Sequence, residues 1–340
     1  MQKNNFDSLR VFGALAVLLS HCWPIGFGLP DPTINGTPLG TLGVYVFFCI
    51  SGYLITGAAE RATNFKNFVV NRGLRIYPGL IVCVVATIFI LGPLMSTSSP
   101  QAYFADALTW KYLLNASAIK LQANLPGLFL QNPLMTVNGS LWTLPYEILS
   151  YAAAAMMVWL FPRQYRFAIC VILVGLSFGT RWALQVNEQI QATIPFLGSL
   201  MAKNILKLFF PFFLGALLRY LRVEDPERLR WFLPAMAICL LGSILAGGVF
   251  RDLLFAAGAC IAVMMVAWHV PVVTLVPKQL GDLSYGLYIY AFPVQQTLRS
   301  LSVHEWGLGL YFVLSTAIAG GLAIMSWRFI EAPALKLKMR

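Results

Sequence analysis

Charged residues are scarce in this chain of 340 residues: Asp, Glu, Lys and Arg make up 11%, while hydrophobic residues reach 59%. A soluble domain carries about 25% charge. So apolar a chain, folded in water, would expose large contiguous apolar patches and associate through them. That excludes an ordinary soluble domain and points to lipid as the solvent. Acidic residues are the scarcer sign, 13 against 24 Lys and Arg, for a net charge of +11. Histidine occurs three times and cysteine six times. There is no Cys-x-x-Cys and no Cys/His spacing of a zinc site, so no metal centre is expected. Cys22, Cys49, Cys83, Cys170, Cys239 and Cys260 mostly lie inside apolar runs and read as small buried hydrophobes. Pro/Ser-rich linkers, low-complexity tracts and internal repeats are missing, so residues 1–340 read as a single transmembrane domain. The first apolar run, Val11 to Leu19, has no A-x-A-like cleavage site after it. The bulky His21 before Cys22 also suits a lipoprotein signal poorly, and a retained first helix is expected.

What the chain does have is long apolar runs. About 20 such residues cross a bilayer, and ten segments qualify: about 7–24, 39–58, 74–95, 140–161, 166–184, 204–221, 231–248, 252–269, 281–299 and 308–330. The expected fold is all-α, a polytopic transmembrane helix bundle of about ten spans. With the N-terminus inside, the greater part of the 24 basic residues falls in alternate, inside segments. That bias places both termini in the cytoplasm. It also accounts for the net positive charge without nucleic acid. The longest outside segment, about 96–139, contains a surface helix from Tyr103 to Leu114. Its aromatics Tyr103, Trp110 and Tyr112 read either as an interfacial belt or as a platform for sugar rings. Three N-x-S/T sequons, at Asn35, Asn115 and Asn138, also fall outside.

The first span carries the most chemistry. Arg10 and His21 are eleven residues apart, so at about 100° per residue they share a face, and at 1.5 Å per residue they lie about 16 Å apart along the axis. Asp7 is on a similar face, one turn earlier. Ionisable groups in lipid usually face a cavity or a partner. The plain alternative is that Asp7 caps the helix, Arg10 anchors it and His21 snorkels beside Trp23. Histidine is the usual general base near neutral pH.

In the fourth span, Ser140, Thr143, Glu147, Ser150 and Tyr151 share a helical face. If helical rise holds from Ser140, Glu147 lies about 10 Å from the outer end, near the depth of His21. A carboxylate there would orient an imidazole, or serve as a structural hydrogen bond. Arg72 and Arg75 stand one turn apart near the inner surface. Guanidinium groups bind phosphate bidentately, though loops on that side are basic anyway. Pro78 is expected in the first turn of its helix, where a missing N–H costs little.

Five segments, in chain order, carry a family pattern. They are Asp7-Ser8-Leu9-Arg10 with His21; Phe47-Phe48-Cys49-Ile50-Ser51-Gly52-Tyr53-Leu54-Ile55; Arg72-Gly73-Leu74-Arg75-Ile76-Tyr77-Pro78; Ser140-Leu141-Trp142-Thr143-Leu144-Pro145-Tyr146-Glu147; and Gly281 to Pro293, with Tyr285 and Tyr288, followed by Glu331-Ala332-Pro333. Together they resemble the acyltransferase 3 family of membrane-bound O-acyltransferases, known for bacterial glycan O-acetylation. The chain departs from many members at Ala291, where they carry histidine, and it is expected to act without the C-terminal SGNH domain some members have.

The resemblance implies an acyl-CoA-dependent O-acyltransferase of the bacterial inner membrane. It would move an acyl group, most often acetyl from acetyl-CoA, to a hydroxyl of an envelope or exported carbohydrate, lipid-linked or not. The co-substrate aside, no permanently bound cofactor is implied. His21 is then the general base or the covalent acyl carrier. Glu147 orients His21, Arg10 holds CoA phosphates or a carbonyl oxygen, and Asp7 positions Arg10. Arg72, Arg75 and Arg10 form the acyl-CoA site at the cytoplasmic mouth. An extended pantetheine arm matches the axial distance to His21 estimated from helix rise. Ser51, Ser140, Trp142, Tyr146, Tyr285 and Tyr288 are expected on the acceptor side or as structural parts of the motifs. Membrane lipids are implied partners, with either a separate partner protein or a second copy. A transporter or flippase of a lipid-linked glycan or small solute fits the intramembrane charge as well, and a non-catalytic assembly subunit is the third class.

Overall fold

The structure is a computed structural model that describes residues 4–186, 202–275, 277 and 280–338. Of the basic residues behind the charge bias, Lys3, Lys278 and Arg340 and the side chains of Arg181 and Lys203 lie outside the described residues. Among the described residues the long helices are α1 (Phe6–His21), α2 (Leu39–Arg61), α3 (Phe65–Ala86), α4 (Leu144–Leu160), α5 (Arg163–Val186), α6 (Ala202–Tyr220), α7 (Leu229–Leu245), α8 (Gly248–His269), α9 (Ser284–Ser300) and α10 (Leu308–Ser326), each overlapping one of the expected apolar segments. The only strands among the described residues are Thr33–Ile34 and Thr37–Pro38, a small hairpin. The chain is an all-α, polytopic helical bundle.

Among the described residues, six helical segments are long and apolar enough to cross a membrane: Phe6–Phe27, Leu39–Arg61, Phe65–Met95, Pro226–Leu245, Gly248–His269 and Leu308–Leu335. α4, α5 and α6 fall outside this set, as does α9. Its 17 residues include Tyr288, Gln295 and Gln296, all buried inside the bundle, where polar side chains meet protein rather than lipid.

The structure moves some boundaries. α3 begins at Phe65, because the Asn64 side chain accepts from the Asn67 N–H and caps the helix there. Pro78 is therefore mid-helix and not in a first turn. The break between α7 and α8 falls at Ala246-Gly247, which puts Arg251 and Asp252 inside α8. The expected surface helix from Tyr103 is instead two short turns, Pro100–Ala105 and Ala107–Lys111, each restarted by its own cap, Ser99 and Asp106. Tyr103 and Tyr112 are wholly buried, while Trp110 remains exposed, so only Trp110 is placed as a belt or platform residue would be. All three sequon amides are engaged: Asn35 with the Ser243 hydroxyl, Asn115 with the Tyr112 and Gln122 carbonyls, and Asn138 with the Ile289 carbonyl.

α2 is the central helix, packed against α1, α4, α6 and α8. Its contact with α6 depends on two glycines. A Cβ at Gly52 would strike the Phe212 carbonyl, and one at Gly215 would strike the Cys49 carbonyl. Backbone therefore meets backbone, as small residues permit in helix pairs within lipid. Gly52→Val is expected to destabilise the fold by about 1–3 kcal/mol, the cost of overpacking. Its thermal unfolding midpoint in detergent should fall below that of the unaltered protein, and an unchanged midpoint would contradict the close approach.

Candidate active site

Between α1, α2, α3, α4 and α9 lies a cavity of about 410 Å³. Arg10, Ser51, Arg72, Arg75, Glu147, Tyr285 and Tyr288 all line it. Sequence spacing had put these on separate helices, and the bundle brings them together. Five cations border the cavity (Arg10, Arg61, Arg72, Arg75 and Lys338) against two carboxylates, Glu147 and Asp282.

The cations are not equivalent. Arg75 is fully engaged. Its Nη2 is 2.5 Å from Asp282 Oδ2 and its Nη1 is 3.6 Å from Glu331 Oε2. The guanidinium also lies over the rings of Tyr285 and Trp327 at 5.8 and 5.7 Å. Arg75 thus joins α3 to α9 and to the turn Trp327–Glu331, and the Tyr285 hydroxyl adds a 2.7 Å bond to the Ile76 carbonyl. Arg10 makes one ion pair, 3.6 Å to Asp282. Arg72 makes no ion pair among the described residues, and its Nε is buried without a hydrogen-bond partner. Of the two arginines expected as a phosphate clamp, Arg72 is the one held open.

Two other expectations change. Asp7 is exposed and is not the carboxylate beside Arg10; Asp282 takes that place. One turn earlier on the helix proved to face away from the bundle. Glu147 does not pair with His21. Its carboxylate accepts from the Tyr151 hydroxyl and lies within electrostatic reach of Arg10, Arg75 and Arg72. The chain enters α4 through a 3₁₀ turn, Gly139–Thr143. That turn rises about 2.0 Å per residue rather than 1.5 and carries Glu147 further towards the arginines than a continuous α-helix would.

His21 stands apart from this cavity. It closes α1, where the helix passes into a π-helical turn, Cys22–Phe27, containing Pro24. π-Bulges of this kind often accompany functional sites. The His21 ring meets Phe292 edge-on at 5.2 Å, and its Nδ1 is buried without a partner. Phe292 is one turn of α9 beyond the cavity-lining Tyr288. Around it, Gln295 donates to the Leu18 carbonyl at 2.9 Å and to Cys22 Sγ at 3.1 Å, tying α9 to the end of α1. Gly139 admits the Phe292 ring, which a Cβ there would meet at 2.5 Å. Asn138 bonds the Ile289 carbonyl and caps the 3₁₀ turn. The Thr143 and Tyr288 hydroxyls pair at 2.7 Å.

Ser140 is buried beside this seam with its Oγ unpartnered. Trp142 and Tyr146 are packed edge to face and do not border the cavity, so they hold the helix rather than face a ligand. Sequence reasoning missed Asp282, Glu331, Trp327 and Lys338. Only Glu331 had a signal, in Glu331-Ala332-Pro333. His269 and His304 bond the Val223 carbonyl and the Arg299 guanidinium, as structural histidines do.

Fold and site together define an integral membrane protein with a cation-rich cavity inside a helical bundle and, outside that cavity, a half-buried histidine whose Nδ1 has no partner among the described residues. The chain belongs to the acyltransferase 3 family: the family's acyltransferase domain matches residues 3–327. It is a membrane O-acyltransferase. An O-acetyl transferase of Shigella phage Sf6 is 29% identical over 97% of this chain and 96% of its own length. Nodulation protein 10 of Rhizobium leguminosarum bv. viciae is likewise 29% identical, over 99% of this chain and 94% of its own. No solved structure matches the chain.

Arg75→Ala would leave Glu331 buried without an ion-pair partner among the described residues and Asp282 with only its 3.6 Å contact to Arg10, and is expected to cost about 3–5 kcal/mol. Arg72→Ala removes no ion pair and should leave the unfolding midpoint nearly unchanged. Equal losses in the two variants would overturn this division. Asp282 precedes α9 in the connecting segment. Burial alone would raise its pKa, but Arg75, Arg10 and Ser284 outweigh it and hold the carboxyl below its ordinary value. Its contribution to stability is therefore present above the ordinary carboxylate pKa and lost as pH falls through the lowered one. Asp282→Asn should flatten that acid limb in a stability-versus-pH series.

Proposed function

We propose that the protein transfers an acyl group, acetyl above all, from cytoplasmic acyl-CoA to a hydroxyl of an envelope or exported carbohydrate, in the inner membrane of a bacterium. The observation that carries the reading is the excess of cations around the cavity, where Arg72 has no ion pair among the described residues, together with the unpartnered Nδ1 of His21 outside that cavity. CoA is a cytoplasmic polyanion, and guanidinium groups suit its phosphates. The phage relative, an O-acetyl transferase, supports acetyl as the group moved.

In this reading the nucleotide end rests at the arginines and the pantetheine arm runs along α1, over the axial distance of about 16 Å between Arg10 and His21. The thioester then meets the seam formed by Tyr288, Phe292 and His21. His21 takes the proton of the acceptor hydroxyl as its oxygen attacks the thioester carbonyl. The C–O bond forms, the C–S bond breaks, and the proton passes to the departing thiolate of CoA. Unpaired Nδ1 leaves the ring free of any protein hydrogen bond at that nitrogen, as a general base needs. Glu147 and Tyr151 belong to the nucleotide side of the path, where Glu147 sets the position of Arg72 and Arg10.

The test uses the full chain in lipid nanodiscs with labelled acetyl-CoA. General-base catalysis contributes about 10²–10⁴-fold. His21→Ala should therefore reduce acetyl transfer by at least about 100-fold while CoA still binds. Undiminished transfer would remove His21 from the chemistry. Mass spectrometry of surface glycan from cells with and without the chain identifies the acceptor, and acetylation of a non-carbohydrate acceptor would overturn the substrate class.

A further inference from the structure

The cavity cations fall into two tiers. The deeper tier, Arg10, Arg72 and Arg75, shares the space with Glu147, Asp282 and Glu331. The rim tier is Arg61 and Lys338. Arg61 is the last residue of α2, and Lys338 follows the turn Ala332–Leu335, which packs on α3. Both are exposed, both border the cavity, and neither has an ion pair among the described residues. Lys338 faces cations rather than anions. Burial and the charges of Arg72 and Arg75 lower its pKa, so the segment that delivers it is set against electrostatic repulsion. A cation placed among cations with no carboxylate of its own is suited to an anionic ligand that arrives from outside.

A CoA whose pantetheine arm points towards His21 must leave its adenosine end at the rim. The pyrophosphate sits between the two, level with the deeper tier. The group furthest from the thioester is the ribose 3′-phosphate, a phosphomonoester with charge near −2, which a surface ammonium or guanidinium can bind directly. Resting on the acyl-CoA reading above, we infer that Lys338, with Arg61, forms a subsite for the 3′-phosphate of the donor nucleotide. The subsite makes the enzyme select CoA thioesters over donors that lack this phosphate.

The experiment compares CoA with 3′-dephospho-CoA as ligands of the full chain in nanodiscs, by calorimetry near physiological salt, for Lys338→Gln, Arg61→Gln and Arg72→Gln. One charge-assisted contact corresponds to about tenfold in affinity. Lys338→Gln and Arg61→Gln should each weaken CoA by up to about that factor and leave dephospho-CoA unchanged. Arg72→Gln, one tier deeper, should weaken both ligands alike. Equal losses for the two ligands in the rim variants, or no loss in either, would overturn the subsite while leaving acyl-CoA binding intact. Failure of the unaltered protein to bind CoA at all would instead remove the acyl-CoA reading, and the subsite with it. Both rim residues are exposed and unpaired, so these substitutions do not disturb the fold, and an unchanged unfolding midpoint checks that.

Discussion

The site depends on one half-buried guanidinium. Arg75 stands between Asp282 and Glu331, with the rings of Tyr285 and Trp327 against it. It is the point where α3, α9 and the turn Trp327–Glu331 are held together. In the low-dielectric interior such a group is stable only when its charge is matched and its donors are used. Here both conditions are met, and the remaining cavity takes its shape from that. With Arg75 committed, Asp282 half-shared with Arg10, and Glu147 turned towards Tyr151, the cation left over in the deeper tier is Arg72. A rigid structural pair beside an open charge is how a binding site stays preformed rather than collapsing on itself.

The second organising feature is the seam along α9. Ile289, Phe292, Gln295 and Gln296 reach, in turn, Asn138, Gly139, the end of α1 and the segment near Leu134. These contacts fix the entry to α4 and the π-helical end of α1 to the same helix. His21 therefore sits at a joint where three backbone segments are tied, which limits its motion without consuming its Nδ1. The bundle thus keeps a charged cavity separate from a half-buried imidazole.

Several parts of this arrangement were legible without coordinates. Helix positions followed from apolar runs, since lipid demands about 20 such residues per crossing. That Arg10 and His21 share a helix and differ in depth followed from helical rise alone. The family motifs named the right segments in the right order. Pro78 and the segment from Tyr103 show the limit. Their caps, Asn64, Ser99 and Asp106, are short polar residues common in any loop, and only the chain's actual path shows that each one starts a helix. Asp7 shows another limit, because one helical turn fixes a face but not what that face meets.

By itself, then, the sequence determined the solvent, the helices, their order, and the residue types available for acyl transfer, because these depend on hydrophobicity and local periodicity. Tertiary structure decided the pairings. Arg75 and Asp282 are 207 residues apart in sequence, and nothing local distinguishes Arg75 from Arg72, one turn away on the same helix. Which of them is locked and which is open, and whether Glu147 faces an imidazole or the arginines, depends on how α3, α4 and α9 come together. Charges choose partners by proximity in three dimensions, and a one-dimensional pattern does not contain that proximity.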